Sequence, residues 1–430
     1  MGLCMKRIFL AGKLFVVAVI CAACTTSTIQ PIVITPISSS EGARFSVFEA
    51  HNAAAPNAIN YDGLSYFLSA LVIDVGFSDR QRGGDGDDTL TGSRIPRGSS
   101  DLLVLETNRI DFANLSDNTI NQITEYRKLL EQLPSQRPLR EFNRNDQLAF
   151  WINLHNIALV EQIALRYPVP NLNRFFVNTD NGREHIYDAK LLNIQGVELS
   201  LNDIRINIVY RYWNDMPEVM YGFFLGTLGG PSLIPRAYSA DFVHNYLNRN
   251  ASEFVNSLRG TKNFYSTLYV SSLYFSHQEI FFPDWPTDFV DHLKTYARSP
   301  VSRYLQNVKQ VNPLSYAPEL AAIYSSSDNT AVLAAIPFAN QVSREATGQT
   351  VIAGANDPGA LGGSAPDLSG VALPESLSDG LPSSSTLDAS RQEFFSRIER
   401  KKRRSSQDFW PTIPHRQGSV EIIDVPTDDN

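Results

Sequence analysis

The stretch from Asn143 to Arg166 constrains this chain more than any other. Asn143 followed three residues later by Asp146 has the spacing of a helix-starting capping box, and Tyr167-Pro168-Val169-Pro170 stops the helix that it opens. Leu148, Trp151, Ile152, His155, Leu159 and Ile163 fall on one face, while Phe150, Leu154 and Ile157 occupy the other. A helix that is apolar almost all round has to be surrounded by protein, so it belongs in the middle of a domain. Three polar residues, Asn153, His155 and Asn156, go into the interior with it. Buried amides must find hydrogen-bond partners. Either they pin neighbouring loops, or they line a pocket with Gly226 and Ser232 of the glycine-rich loop ending at Pro235, whose backbone amides would suit an anionic group.

Around that helix the periodicities alternate. Leu64 to Val75 reads as a first helix and Thr119 to Leu133 as a second, ended by Pro134 to Pro138. Between His185 and Glu198, short strand-like stretches flank the hairpin turn Gln195-Gly196. Ser200 with Asp203 caps a helix to about Trp213. Ser239 to Leu258 is helical, Leu268 to Ser272 strand-like and Asp288 to Arg298 helical. Many helices with a few short antiparallel strands predict an α+β, helix-rich single domain over 43–340.

The chain opens on an export signal. Lys6 and Arg7, with Lys13, precede an uncharged apolar run from Leu14 to Ala23, half as long as a membrane span, ending in Cys21-Ala22-Ala23-Cys24. We read 1–23 as a bacterial lipoprotein signal peptide and Cys24 as the residue to be acylated. The predicted location is then the cell envelope, lipid-anchored, with Thr25 favouring the outer membrane. Simple release of a soluble protein is the alternative, and a start at Met5 fits equally well. Cys4, Cys21 and Cys24 are the only cysteines, so no disulfide framework holds the mature domain. Burial must do so, and 43 % apolar residues in a chain of 430 suffice for a sizeable core. Loss of Lys6, Arg7 and Lys13 takes the formal charge from −8 to −11, which argues against nucleic-acid binding.

Residues 24–42 suit a tether. Residues 79–100 suit a flexible insertion, with one calcium-type repeat, Gly83 to Gly92, as the alternative. From 341 to 386 the chain turns to Gly, Ala, Pro and Ser, the composition of a disordered linker. The tail, 387–430, carries an amphipathic pattern with Phe394, Phe395 and Ile398, ending in Arg400, Lys401, Lys402, Arg403 and Arg404. That run would either adhere to an anionic surface such as lipid head groups or be a solvated tail. The seven histidines show no metal-ligand spacing, no Gly-x-Ser-x-Gly elbow is present, and nothing joins Ser232 to His155. No metal, cofactor or catalytic set is expected.

Phe150-Trp151-Ile152-Asn153-Leu154-His155-Asn156, Gly196, Leu199-Ser200-Leu201-Asn202-Asp203-Ile204, Gly226, Pro231-Ser232-Leu233 and Ala237-Tyr238 together resemble the family catalogued as domain of unknown function 547. The resemblance runs from about Phe142 to Ala297, and the family occurs in bacterial exported proteins and in plants. Many members carry Glu-His after the Leu-Asp-Asp-Ile-like element and a cysteine in the glycine loop, a natural base and nucleophile. This chain has Arg205-Ile206 and Leu225-Gly226 at those places. The scaffold motifs without that pair imply a domain that binds an envelope protein or glycan; a hydrolase or transferase working without a thiol is the rival expectation.

Overall fold

The computed structural model describes residues 43–50, 57–80, 105–169, 171–180, 182–264, 266–314, 316–323, 384–404, 410 and 420–424. The signal peptide, Cys24, the tether, nearly all of the 79–100 insertion and the 341–383 part of the linker lie outside them.

The central helix runs from Arg144 to Arg166, as its sequence predicts. Asn143 Oδ1 accepts from the backbone N–H of Asp146 at 2.8 Å, and Asn143 Nδ2 donates to the Asp146 carboxylate at 2.7 Å. That carboxylate also accepts from the Ile59 N–H at 3.3 Å, so the cap ties a distant strand to the helix. Desolvation is the largest influence on this fully buried group and pushes its pKa up to about 6. Although long and apolar enough to cross a membrane, the helix is wrapped by protein. The helix Asp117–Gln136 lies along it, with Arg127 ion-paired to Glu161 at 2.9 Å. On another side Gly222 approaches so closely that a Cβ there would stand 2.9 Å from Ile152 Cδ1 and 2.8 Å from Leu247 Cδ2.

The strands are short and scattered. In chain order they are β1 (Asn57–Asn60), β2 (Val72–Ile73), β3 (Arg109–Ile110), β4 (Phe176–Thr179), β5 (Gly182–His185), β6 (Leu192–Ile194), β7 (Val197–Leu199), β8 (Thr261–Phe264), β9 (Thr267–Ser271), β10 (Gln310–Leu314) and β11 (Glu421–Asp424). Four antiparallel pairs, β1–β11, β2–β3, β4–β5 and β6–β7, stand beside a three-stranded sheet in the order β10–β9–β8. In that sheet β9 and β10 run parallel, a pairing that short antiparallel patterns do not announce. Gln195 and Gly196 join β6 to β7 with φ of +52° and +83°, the two positive values of a type I′ turn. The fold is α+β, as expected.

Several boundaries differ from expectation for local reasons. The first helix spans Asp62–Leu71 and stops before Val75, because Val72 and Ile73 pair with Ile110 and Arg109 instead. The second helix continues through Pro134 to Gln136, and the residue before Pro138 ends it. Arg137 is extended there (φ −147°, ψ 122°), since a following proline disfavours the helical conformation. Ser200 and Asp203 cap each other as predicted, at 2.8 and 3.1 Å, but the segment they open, Asp203–Val209, is a π-helix with a short α-turn after it. The 239–258 helix contracts to Val243–Val255, since Ser239–Phe242 forms a turn and Asn256 caps the other end. The last helix, Ser384–Arg404, docks on the domain: Phe394 and Ile398 are buried beside Val75.

Candidate functional site

The polar residues of the central helix are fully employed in holding loops. Asn153 donates to the Tyr238 carbonyl at 2.8 Å and accepts from the Tyr238 N–H at 2.9 Å. One turn on, Asn156 donates to the Gly222 carbonyl and accepts from the Phe224 N–H, both at 2.9 Å. Each amide thus closes a two-bond clamp on backbone that would otherwise be orphaned in the core. His155 is 0 % exposed, shares its Nδ1 with Asn156 Oδ1 at 3.2 Å, and stands edge-on to Phe223. Its Nε2 has no partner among the described residues. Burial, with Arg205 nearby, lowers its pKa to about 3.

Gly226 and Ser232 serve different places. Gly226 has φ +66°, and a Cβ on it would come within 2.4 Å of Leu172 Cδ1, so the position requires glycine sterically and conformationally. Ser232 belongs to a buried ionic network: its Oγ receives Arg259 Nη2 at 3.1 Å and contacts Glu253 at 3.3 Å, and Arg259 pairs with Glu253 at 2.9 Å. The loop amides of Leu228, Gly229 and Gly230 donate to the carbonyls of Glu319, Ala317 and Thr227. None of the cavities among the described residues brings together the five residues suspected of sharing a pocket, and those three amides are already paired. No hydrogen bond joins Ser232 to His155.

A cavity of about 390 Å³ does open nearby, on the other side of the Gly226 loop. Its walls come from six stretches, with Leu172, Tyr187, Arg205, Leu225, Thr227, Ser276 and Tyr316 among the lining residues. The Asp203–Val209 π-helix presents Arg205, and single-turn insertions of this kind recur at functional sites. The segment is anchored at its start by the Ser200–Asp203 cap and by an ion pair of Asp203 with Lys190. Arg205 is only 8 % exposed. One Nη donates to Asn202 Oδ1 at 2.8 Å, the guanidinium lies 5.9 Å from the Tyr187 ring centre, and Nε has no partner. Among the described residues no carboxylate forms an ion pair with it.

The surrounding hydroxyls are already paired. Tyr187 donates to the Leu225 carbonyl at 2.6 Å, Tyr316 and Thr227 share a bond of 2.5 Å, and Ser276 donates to the Leu273 carbonyl at 2.6 Å. His277 bonds the same carbonyl through Nδ1 at 2.6 Å and Tyr210 through Nε2 at 3.0 Å. Burial is the main reason its pKa falls to about 3, as for His155, so both rings beside Arg205 are neutral. The site therefore combines one uncompensated buried cation with apolar and aromatic walls. It has no thiol, and among the described residues no group of three His, Cys, Asp or Glu side chains is placed to hold a metal.

Sequence reasoning saw Arg205 and Leu225 only as departures from a family pattern and overlooked Tyr187, Thr227, Ser276 and Tyr316. The available signal was a lone arginine between Ile204 and Ile206 in a capped, apolar segment. Of the basic run expected to face an anionic surface, Lys401 is 1 % exposed and points inward, donating to the Leu105 carbonyl at 2.6 Å. Arg400 and Arg403 are exposed, and Arg403 pairs with Glu399 at 3.4 Å.

No curated protein and no solved structure matches the chain. The stretch that contains the central helix, both amide clamps, the π-helix with Arg205 and the Gly226 loop, residues 139–255, matches the family model described as "Protein of unknown function, DUF547".

Proposed function

We propose that this protein is a lipid-anchored component of the bacterial envelope, held in the outer membrane through Cys24, whose domain binds an anionic ligand in the Arg205 cavity without transforming it. The observation that carries the binding role is the buried guanidinium at a cavity wall, which has no ion-pair partner among the described residues. Burying an uncompensated charge costs several kcal/mol in a folded protein. A ligand that supplies the missing anion recovers much of that cost on binding. The non-catalytic character is read from the walls: Leu225 stands where a thiol would be needed, and His155 and His277 are sealed in the core. The anchor rests on the cysteine and the apolar run that precedes it.

A thermal-shift screen of the full-length protein against small anions tests the binding role. Stabilisation that disappears in Arg205→Met is the expected outcome, and anion effects identical in both proteins would refute it. For the anchor, Cys24→Ser should abolish incorporation of an alkyne-labelled fatty acid and release the protein from the membrane fraction. Labelling that persists in the variant would remove that part of the reading.

A further inference from the structure

We infer that the ligand of the Arg205 cavity is a small monocarboxylate with an apolar, preferably aromatic, body. This rests on the reading of the cavity as an anion site and specifies which anion it takes.

The count of charges comes first. Among the described residues Arg205 is the only charged one lining the cavity, so one negative charge balances it. A phosphomonoester, carrying nearly two charges at neutral pH, would need a second cation or a ring of free backbone amides. Neither is at hand: the Leu228, Gly229 and Gly230 amides are bonded to protein carbonyls, and Tyr187 and Ser276 donate to backbone carbonyls of their own. His155 and His277, which feel the Arg205 charge, are held neutral by burial, and Arg259, whose charge reaches Tyr316, is paired with Glu253.

Geometry agrees with charge. A guanidinium is a flat fork that meets the two oxygens of a carboxylate in one plane. One edge of Arg205 is taken by Asn202, and Nε is without a partner. The remaining lining favours an apolar body over a sugar, because its hydroxyls are paired, Leu172, Leu225, Leu273 and Pro318 are apolar, and Asn173 adds a single exposed amide. Tyr187 and Tyr316 offer aromatic surface, and Tyr187 lies against the guanidinium itself. At about 390 Å³ the space is at the small end of the range for small-molecule sites, about 300–1,000 Å³.

The probes are 3-phenylpropionate, its amide and 2-phenylethyl phosphate, followed by ligand-observed NMR on the full-length protein in detergent. Saturable binding of the carboxylate, at least tenfold weaker for the amide and for the phosphate, is expected. Arg205→Lys should weaken carboxylate binding about tenfold, because the fork is lost while the charge stays, and Arg205→Met should abolish it. Preferential binding of the phosphate, still lost in Arg205→Met, would overturn the monocarboxylate assignment and leave the anion site standing. Amide and carboxylate binding equally well, or no probe binding in an Arg205-dependent way, would overturn both. Circular dichroism melts of the two variants separate a lost ligand from a lost fold.

Discussion

Two sets of buried polar groups meet within this core, and they are treated in opposite ways. On the central helix, Asn153 and Asn156 each bond two backbone groups, and the neighbouring histidine is kept neutral. On the π-helix, Arg205 has one side-chain acceptor and, among the described residues, no ion-pair partner. The first arrangement is what stability selects, since a satisfied buried amide locks a loop at little cost. The second is what stability alone would remove. The contrast identifies which buried polar residue is serving a purpose outside the fold.

Acid should break the contrast most forcefully, by charging the neutral side. His155 and His277 have folded-state pKa values of about 3 against an ordinary value near 6.5, so their contribution to stability is complete above pH 6.5 and is lost as the pH falls toward 3. Between pH 7 and 4.5 the two rings together should remove roughly 5 kcal/mol. Asp146 acts with the other sign: its pKa is raised to about 6, so its contribution is complete below the ordinary carboxylate value and is lost as the pH rises through 6. It should return roughly 2 kcal/mol over the same interval. Urea midpoints at the two pH values measure the net loss, and a flat profile would mean that the rings are more hydrated than their burial implies.

Asn156→Ala should cost about 3 kcal/mol, because it strands the Gly222 carbonyl and the Phe224 N–H in a dry interior. Denaturant unfolding at neutral pH gives the value, and a loss under 1 kcal/mol would show that the loop finds other partners. Gly226→Ala should cost about 2 kcal/mol, from the positive φ and the overlap with Leu172, and its thermal midpoint reports this directly. Arg205→Met should have the smallest effect, about 1 kcal/mol in the stabilising direction, because replacing a buried cation that has no ion-pair partner among the described residues by a side chain of similar volume removes a penalty. A large destabilisation by Arg205→Met would move this residue to the structural side of the comparison.

How far the sequence could be read depended on whether the information was local. The central helix was legible to its first residue, because a cap, an all-round apolar surface and a proline stop all lie within one stretch. Gln195-Gly196 and the Ser200–Asp203 box were legible for the same reason. Val72 and Ile73 were not, since their choice of strand over helix depends on Arg109 and Ile110, far along the chain. Nor does side-chain periodicity reveal that one turn from Asp203 is wound as a π-helix. The Arg205 cavity joins walls from Leu172 to Pro318, so only one of its charged or polar members, an arginine flanked by isoleucines, left a local trace. Asn153 and Asn156 were correctly suspected of burial. The partners that they hold favour the loop-pinning reading over the pocket-lining one.

The pairing of β1 with β11 has a mechanical consequence. Asn57 lies opposite Asp424 and Asn60 opposite Glu421, so the chain enters and leaves this ladder at the same end. Tension applied between the two outgoing segments would open the hydrogen bonds one after another, as a zipper opens, instead of loading them all in parallel. The same pull would reach the central helix as well, through the Ile59 N–H held by Asp146 and through Phe48 packed edge-on against Trp151.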